Sequence, residues 1–167
     1  MKSYSQTEVA LPGKSSAVSE QRRRNMQHIR SCDTKPEETV RTYLHRLGFR
    51  YRKNDRRYPG KPDIVLPKYK TIVFVHGCFW HQHKNCKYAA IPKSNQSYWL
   101  PKLARNTLRD RETAVKLTSL GWNVIVFWEC ALRVPEKSDY LTALAEAVES
   151  KKASYLEIPE LAGGALC

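Results

Sequence analysis

Asp63-Ile64-Val65-Leu66-Pro67-Lys68-Tyr69-Lys70-Thr71-Ile72-Val73-Phe74-Val75 reads as two short strands joined by a Pro-containing turn. Both runs are rich in β-branched residues, so the pair predicts a hairpin. An acid, Asp63, stands at its mouth, after the basic turn Arg56-Arg57-Tyr58-Pro59-Gly60-Lys61-Pro62. The second strand runs straight into His76-Gly77-Cys78-Phe79-Trp80-His81-Gln82-His83-Lys84-Asn85-Cys86. Few structural needs call for thiols, imidazoles and adjacent aromatics in so short a space. Cys and His bind metal, and a spare His can transfer protons. Two neighbouring large aromatics just beyond a strand suit stacking against something flat.

On the N-terminal side, Thr34-Lys35-Pro36-Glu37 has capping-box spacing with Pro in the first turn. It predicts a helix through Val40, Tyr43 and Leu44, ending near Gly48. Residues 49–53 alternate apolar and basic, as a half-exposed strand does. On the C-terminal side a helix is predicted from about 97 to 120, ended by Gly121. Leu100, Leu103, Ala104, Leu108, Val115 and Leu120 are its apolar stripe. Residues 122–128 are too continuously apolar for a half-exposed strand and predict a central one. A last helix covers roughly 137–150. The order α-β-β-β-α-β-α predicts an α/β fold, a mixed β-sheet flanked by helices. Residues 1–20 lack periodicity and are expected to be a flexible leader, with one domain over 21–151 and a C-terminal tail over 152–167.

The net charge is +13, from 29 Lys and Arg against 16 Asp and Glu. A partner with dense negative charge is the simplest reason, and nucleic acid is the commonest such partner. A merely soluble, lysine-rich surface is the plainer alternative. No basic amphipathic helix stands apart from the core pattern, which argues against a membrane surface. The apolar runs 71–75 and 124–128 are strand-sized and too short to span a bilayer. With no apolar signal segment, an intracellular protein is expected, and its cysteines read as thiols or metal ligands.

Cys78, His83 and Cys86 have metal-ligand spacing, and Cys130, after the buried strand, is the candidate fourth ligand. Cys3His suits a closed tetrahedral zinc site, which has no position open for water and does no chemistry. The competing reading is two buried core thiols and a solvated loop histidine. Asp63 suits a hard divalent cation such as Mg²⁺ beside a scissile phosphate, but is equally a turn residue after Pro. Pro-Asp followed a hairpin later by Glu-x-Lys marks restriction-like nucleases. Here that later position reads Val75-His76-Gly77, so a second oxygen would come from the Val75 carbonyl. His76 and His81 would replace the Lys in proton transfer.

Together, several motifs resemble the very short patch repair (Vsr) endonucleases over about residues 23–133. They are Arg24-Asn25-Met26, Asp33-Thr34, Pro59-Gly60-Lys61-Pro62-Asp63, the 73–81 block with His76-Gly77-Cys78-Phe79-Trp80-His81, Tyr98-Trp99-Leu100, Asn106, Arg109-Asp110, Gly121-Trp122 and Trp128-Glu129-Cys130-Ala131-Leu132. The resemblance implies a restriction-endonuclease-like fold and nicking of DNA 5′ to the thymine of a T:G mismatch, the lesion left by deamination of 5-methylcytosine. It implies Asp63 and the Val75 carbonyl as Mg²⁺ ligands, His81 as general base, His76 as a second active-site histidine, and Glu37 as an active-site acid. The Thr34 spacing also explains Glu37 as a capping-box residue. Cys78, His83, Cys86 and Cys130 match the structural zinc ligands.

Phe79, Trp80 and Met26 match intercalating residues, for which core packing is the ordinary alternative. Arg23, Arg24, Asn25, Lys61 and Trp99 are implied in DNA binding, and Arg22, Arg56, Arg57, Arg105 and Arg109 are further phosphate-contact candidates. The resemblance also implies double-stranded DNA as partner, contact with the mismatch-repair protein MutL, a monomer, and a bacterial, cytoplasmic, nucleoid-associated location. Two rival readings stand beside it: a restriction-type nuclease of the same fold cutting an unmodified site, and a zinc-stabilised DNA-binding module without catalysis.

Overall fold

Residues 72–75 and 124–128 are apolar almost without a break because helices cover both faces of the strands they form. The computed structural model describes residues 32–150 and 153–159. The leader, Arg22, Arg23, Arg24, Asn25, Met26, Cys167 and most of the expected tail lie outside the described residues. The described strands are β1 (Arg52–Lys53), β2 (Ile64–Leu66), β3 (Thr71–His76), β4 (Asn123–Trp128) and β5 (Tyr155–Ile158), side by side in chain order. β1, β2 and β3 pair antiparallel, while β3, β4 and β5 pair parallel. The described α-helices are α1 (Lys35–Arg46), α2 (Gln96–Ser119) and α3 (Lys137–Ser150). None is long and apolar enough to cross a membrane.

Alternation along the strands decides which helix each side chain meets. Val73, Val75, Ile125 and Phe127 pack on Val40 and Leu44 of α1 and Leu141, Leu144 and Val148 of α3. Ile72, Phe74 and Val124 point the other way, onto Leu117 of α2. His76, two residues beyond Phe74, therefore emerges on the α2 face, while Val75 turns towards α1. Gly60 lets the basic turn dock against α2: its φ is +75°, and a Cβ there would lie 2.5 Å from Thr113 Cγ2. That contact sets where the chain enters β2, and so where Asp63 stands.

Four sequence expectations change. First, residues 155–158, placed in the C-terminal tail, form β5 beside β4, which makes β4 an internal strand as its apolar sequence requires. Second, only Arg52–Lys53 of the predicted 49–53 strand is extended and paired, while Phe49 is buried in the core ahead of it. Third, most of the expected apolar stripe of α2 is not on its core face: Leu103 is buried, but Leu100, Leu108, Val115 and Leu120 are exposed. The inward row is Trp99, Leu103, Asn106, Asp110, Thr113 and Leu117, with spacings that alternate four and three. Polar residues interrupt it, which hid it from a hydrophobic reading. Fourth, Thr34 and Glu37 form no reciprocal capping box. The Thr34 hydroxyl donates to Glu37 Oε1 (2.9 Å), and Glu37 Oε2 accepts from the Asp33 N–H (2.9 Å).

Candidate active site and metal centre

Between His76 and Cys86 the chain turns tightly, and the turns sort its histidines. The His81 N–H donates to the Gly77 carbonyl (3.1 Å) and the His83 N–H to the Cys78 carbonyl (3.0 Å), with Gln82 between them at a φ of 51°. His81 is thereby aimed at α2, where its Nδ1 lies 2.6 Å from Asp110 Oδ2. Its ring stacks on His76 with centroids 3.8 Å apart and planes 9° apart. His81 and Asp110 keep 23% and 22% of their side-chain surface exposed, whereas His76 is buried. Burial pushes the His76 imidazole down to about 3, helped by the charge of His81. His76 is thus held neutral.

The ligand atoms of His76, His81 and Asp110 lie within 4.8 Å of one another, close enough for one ion. Stacked imidazoles, however, direct their in-plane lone pairs along parallel lines rather than to one point. The arrangement suits proton transfer better than chelation.

Asp63 stands where the β2–β3 ladder stops, one residue beyond the last pair, Ile64 with Val73. Its Oδ2 accepts the Val75 N–H at 2.7 Å, replacing the missing ladder bond. In a strand the N–H and C=O of one residue face the same edge, so the Val75 carbonyl lies on the Asp63 side of β3. Burial raises the Asp63 carboxyl to about 6. The Val75 N–H opposes that rise, the charge of Glu37 adds to it, and Arg41 and His81 oppose it. A half-buried carboxyl beside a second acid, with a carbonyl oxygen on the same edge, offers hard oxygen donors. Those are the terms on which a Mg²⁺-type ion fits. Glu37 itself is buried, with its oxygens engaged by Thr34, Asp33 and Arg41.

Cys78, His83, Cys86 and Cys130 are all buried, and their ligand atoms also lie within 4.8 Å of one another. His83 Nδ1 is 3.4 Å from Cys130 Sγ and 3.7 Å from Cys78 Sγ. The Cys78 thiol is held well below the usual thiol range, chiefly by its hydrogen bond with Cys130. Three sulfurs and one imidazole nitrogen converging in a dry pocket fit a soft tetrahedral ion. His83 stacks on Trp128 (4.2 Å, 11°), whose indole N–H is anchored on Glu157 Oε2 at 2.8 Å. Glu129 accepts the Cys78 N–H at 3.2 Å and fixes the start of the loop.

Phe79 and Trp80 are half-buried, with ring centroids 5.1 Å from each other and 5.4 and 5.9 Å from that of Trp99 of α2. Lys102 Nζ lies 5.3 Å from the Trp80 ring and 5.1 Å from that of Tyr98. Asn106 Nδ2 donates to the Trp80 carbonyl at 3.0 Å, tying this platform to α2. Lys61 is half-buried with a φ of 51° in the docked turn. Arg56, Arg57, Arg105 and Arg109 are exposed, although Asp55 holds Arg57 at 2.6 Å. Sequence reasoning assigned no role to Asp110, Arg41, Glu129 or Lys102. The inward row of α2 was the signal for Asp110, since a carboxylate on a core-facing row needs a partner.

A family model for the DNA mismatch endonuclease Vsr matches residues 16–87. A type II nicking enzyme of Neisseria meningitidis serogroup A is 56% identical over 108 residues, which are 65% of this chain and 76% of the relative. A type II nicking enzyme of Xanthomonas oryzae pv. oryzae is 46% identical over 68% of this chain and 82% of its own length. The DNA mismatch endonuclease Vsr of Escherichia coli K12 is 40% identical over 70% of this chain and 74% of its own. The chain belongs to the Vsr DNA mismatch endonuclease family and is a DNA endonuclease.

Proposed function

We propose that this endonuclease nicks one DNA strand 5′ to the thymine of a T:G mismatch, in repair of deaminated 5-methylcytosine. The observation that carries the reading is the contact between His81 Nδ1 and Asp110 Oδ2, stacked on a neutral His76 and within electrostatic reach of Asp63. Asp110 orients the imidazole and accepts Nδ1–H, which leaves Nε2 as the base for the proton of an attacking water. His76 stays neutral and adds no charge to oppose an imidazolium at His81. Asp63 and the Val75 carbonyl would hold Mg²⁺, which when bound stabilises charge developing on the phosphate. Glu37 completes the acidic corner. Cys78, His83, Cys86 and Cys130 would hold Zn²⁺, which ties the loop bearing Phe79 and Trp80 to the sheet.

Phe79, Trp80 and Met26 would enter the base stack. A weakly paired mismatch lowers the cost of unstacking, so wedges select for softness as well as for hydrogen bonds. Trp99, Lys61, Arg23, Arg24 and Asn25 would contact the duplex. The same reading takes the nuclease domain from residue 21 through β5, past the 151 expected from sequence, in a cytoplasmic, nucleoid-associated monomer that meets MutL. A nicking assay with Mg²⁺ on T:G and fully paired duplexes of one sequence tests it. Nicking confined to T:G is expected. Equal cleavage of both would favour a restriction-type enzyme, and no cleavage of either a binding module.

A further inference from the structure

Arg41 is a buried cation, with 6% of its side chain exposed. Its Nη1 donates to Asp33 Oδ1 (2.6 Å), and its Nη2 donates to Glu37 Oε2 (2.9 Å) and Asn54 Oδ1 (3.3 Å). Nη2 and Nε also reach the main-chain oxygen of Asp63, at 3.1 and 3.3 Å. Asn54 closes the ring: its Nδ2 donates to Asp33 Oδ1 (3.2 Å), and its N–H donates to the Asp63 carbonyl (3.4 Å). Asp63 is therefore held at both ends, its carboxylate by Val75 and its carbonyl by Arg41 and Asn54.

We propose that Arg41 is a positioning residue for the metal-binding acid, a guanidinium clamp that fixes the Asp63 main chain and the Glu37 carboxylate against α1. The proposal rests on the reading of Asp63 as a metal ligand. A guanidinium is a planar fork of five N–H donors and can serve four acceptors around one plane. An ammonium at the end of a lysine is a point charge without that spread. Mg²⁺ demands near-ideal octahedral geometry, so an aspartate whose main chain drifts loses the ion even when its carboxylate is intact. Arg41 also offsets the buried charge of Glu37, which leaves Asp63 to the cation. Its contact with Asp63 runs through the main chain, so its effect on catalysis is indirect.

The test uses the full chain. Mn²⁺ binding without DNA is read from the free-ion electron paramagnetic resonance signal, alongside thermal melting and Mg²⁺ titration of T:G nicking. For Arg41→Lys, the Mn²⁺ dissociation constant and the Mg²⁺ activation constant should both rise about 10–100-fold, as when a group supporting a metal ligand is lost. Should Arg41→Lys fail to fold, Arg41→Gln/Glu37→Gln removes the cation together with its buried acid. Glu37→Gln alone gives the share due to the acid. The double variant should melt near Glu37→Gln yet bind Mn²⁺ at least tenfold more weakly. Wild-type Mn²⁺ affinity in Arg41→Lys, or equal affinity in Glu37→Gln and the double variant, would overturn the clamp. Asp63→Ala separates the two levels: if it binds Mn²⁺ like the wild type, the ligand reading fails and the clamp falls with it.

Discussion

The Cys/His corner and the His/Asp corner are threaded through the same eleven residues, yet they differ in almost every physical respect. Cys78, His83 and Cys86 turn inwards, meet Cys130 and are buried. His81 turns outwards to Asp110 and stays about a fifth exposed, with buried His76 at its back. A stabilising ion needs a closed, dry set of soft donors, whereas a base acting on a phosphodiester must be reached by water and substrate. Tight turns at Gln82 and Asn85, both at positive φ, let residues two apart serve opposite ends. The corners still share a wall: Trp128 stacks on His83 and meets the edge of His76 (5.4 Å, 71°).

The largest expected effect breaks the closed corner. Cys130→Ala should lose the bound metal and its contribution to folding, on the order of 10 kcal/mol for a structural zinc. Calorimetry and metal analysis would record a collapsed transition without zinc; an unchanged melt would mean that the four residues are ordinary core. Asp110→Asn acts on the open corner alone. It should slow nicking by about 10²-fold, the lower end of general-base effects, while zinc content and melting stay put. Undiminished nicking in that variant would remove Asp110 from the mechanism.

The pH response is a smaller lever. The Asp63 carboxyl is raised from its ordinary 3.8 to about 6 by burial. Without metal, the native state holds this proton more tightly than the unfolded chain does. Its contribution to stability is therefore full below pH 4 and is lost as the pH rises through 6. Mg²⁺ competes with that proton, so its apparent affinity should be about tenfold weaker at pH 5 than near pH 7. A Mg²⁺ requirement constant over that span would contradict the burial of Asp63 as the cause. Smallest of all, Leu108→Gln and Val115→Gln should change stability by no more than about 0.5 kcal/mol. Leu117→Ala on the inward row of α2 should cost about 2–5 kcal/mol in the same urea titration.

That last contrast marks what the sequence made legible. Strands flanked by helices on both faces were readable in the unbroken apolar runs 72–75 and 124–128, and the ends of α1 and α3 in Pro36, Gly48 and the residues around 137–150. β5 was not, because Tyr155-Leu156-Glu157-Ile158 is short and carries an acid that serves Trp128 rather than solvent. The face of α2 was misread because a functional row must carry Asn106 and Asp110 inwards, while leucines and a valine remain outside. The chemistry-bearing residues of the 76–86 stretch were visible from their density alone. Their division was expected from the Cys/His spacing and the family resemblance, but the means of it was not visible, since backbone turns rather than composition direct each side chain. Arg41 looked like any helical arginine until Asp33, Asn54 and Asp63 were seen to converge on it.

The division itself is the central claim, and two variants measured side by side test it most directly. His83→Ala and His81→Ala would each be assayed for zinc per chain and for nicking of a T:G duplex with Mg²⁺. His83→Ala should lose zinc and the folded loop with it. His81→Ala should keep one zinc per chain and the wild-type melt while nicking falls about 10²–10⁴-fold. Zinc lost from His81→Ala, or wild-type zinc and nicking in His83→Ala, would contradict the account.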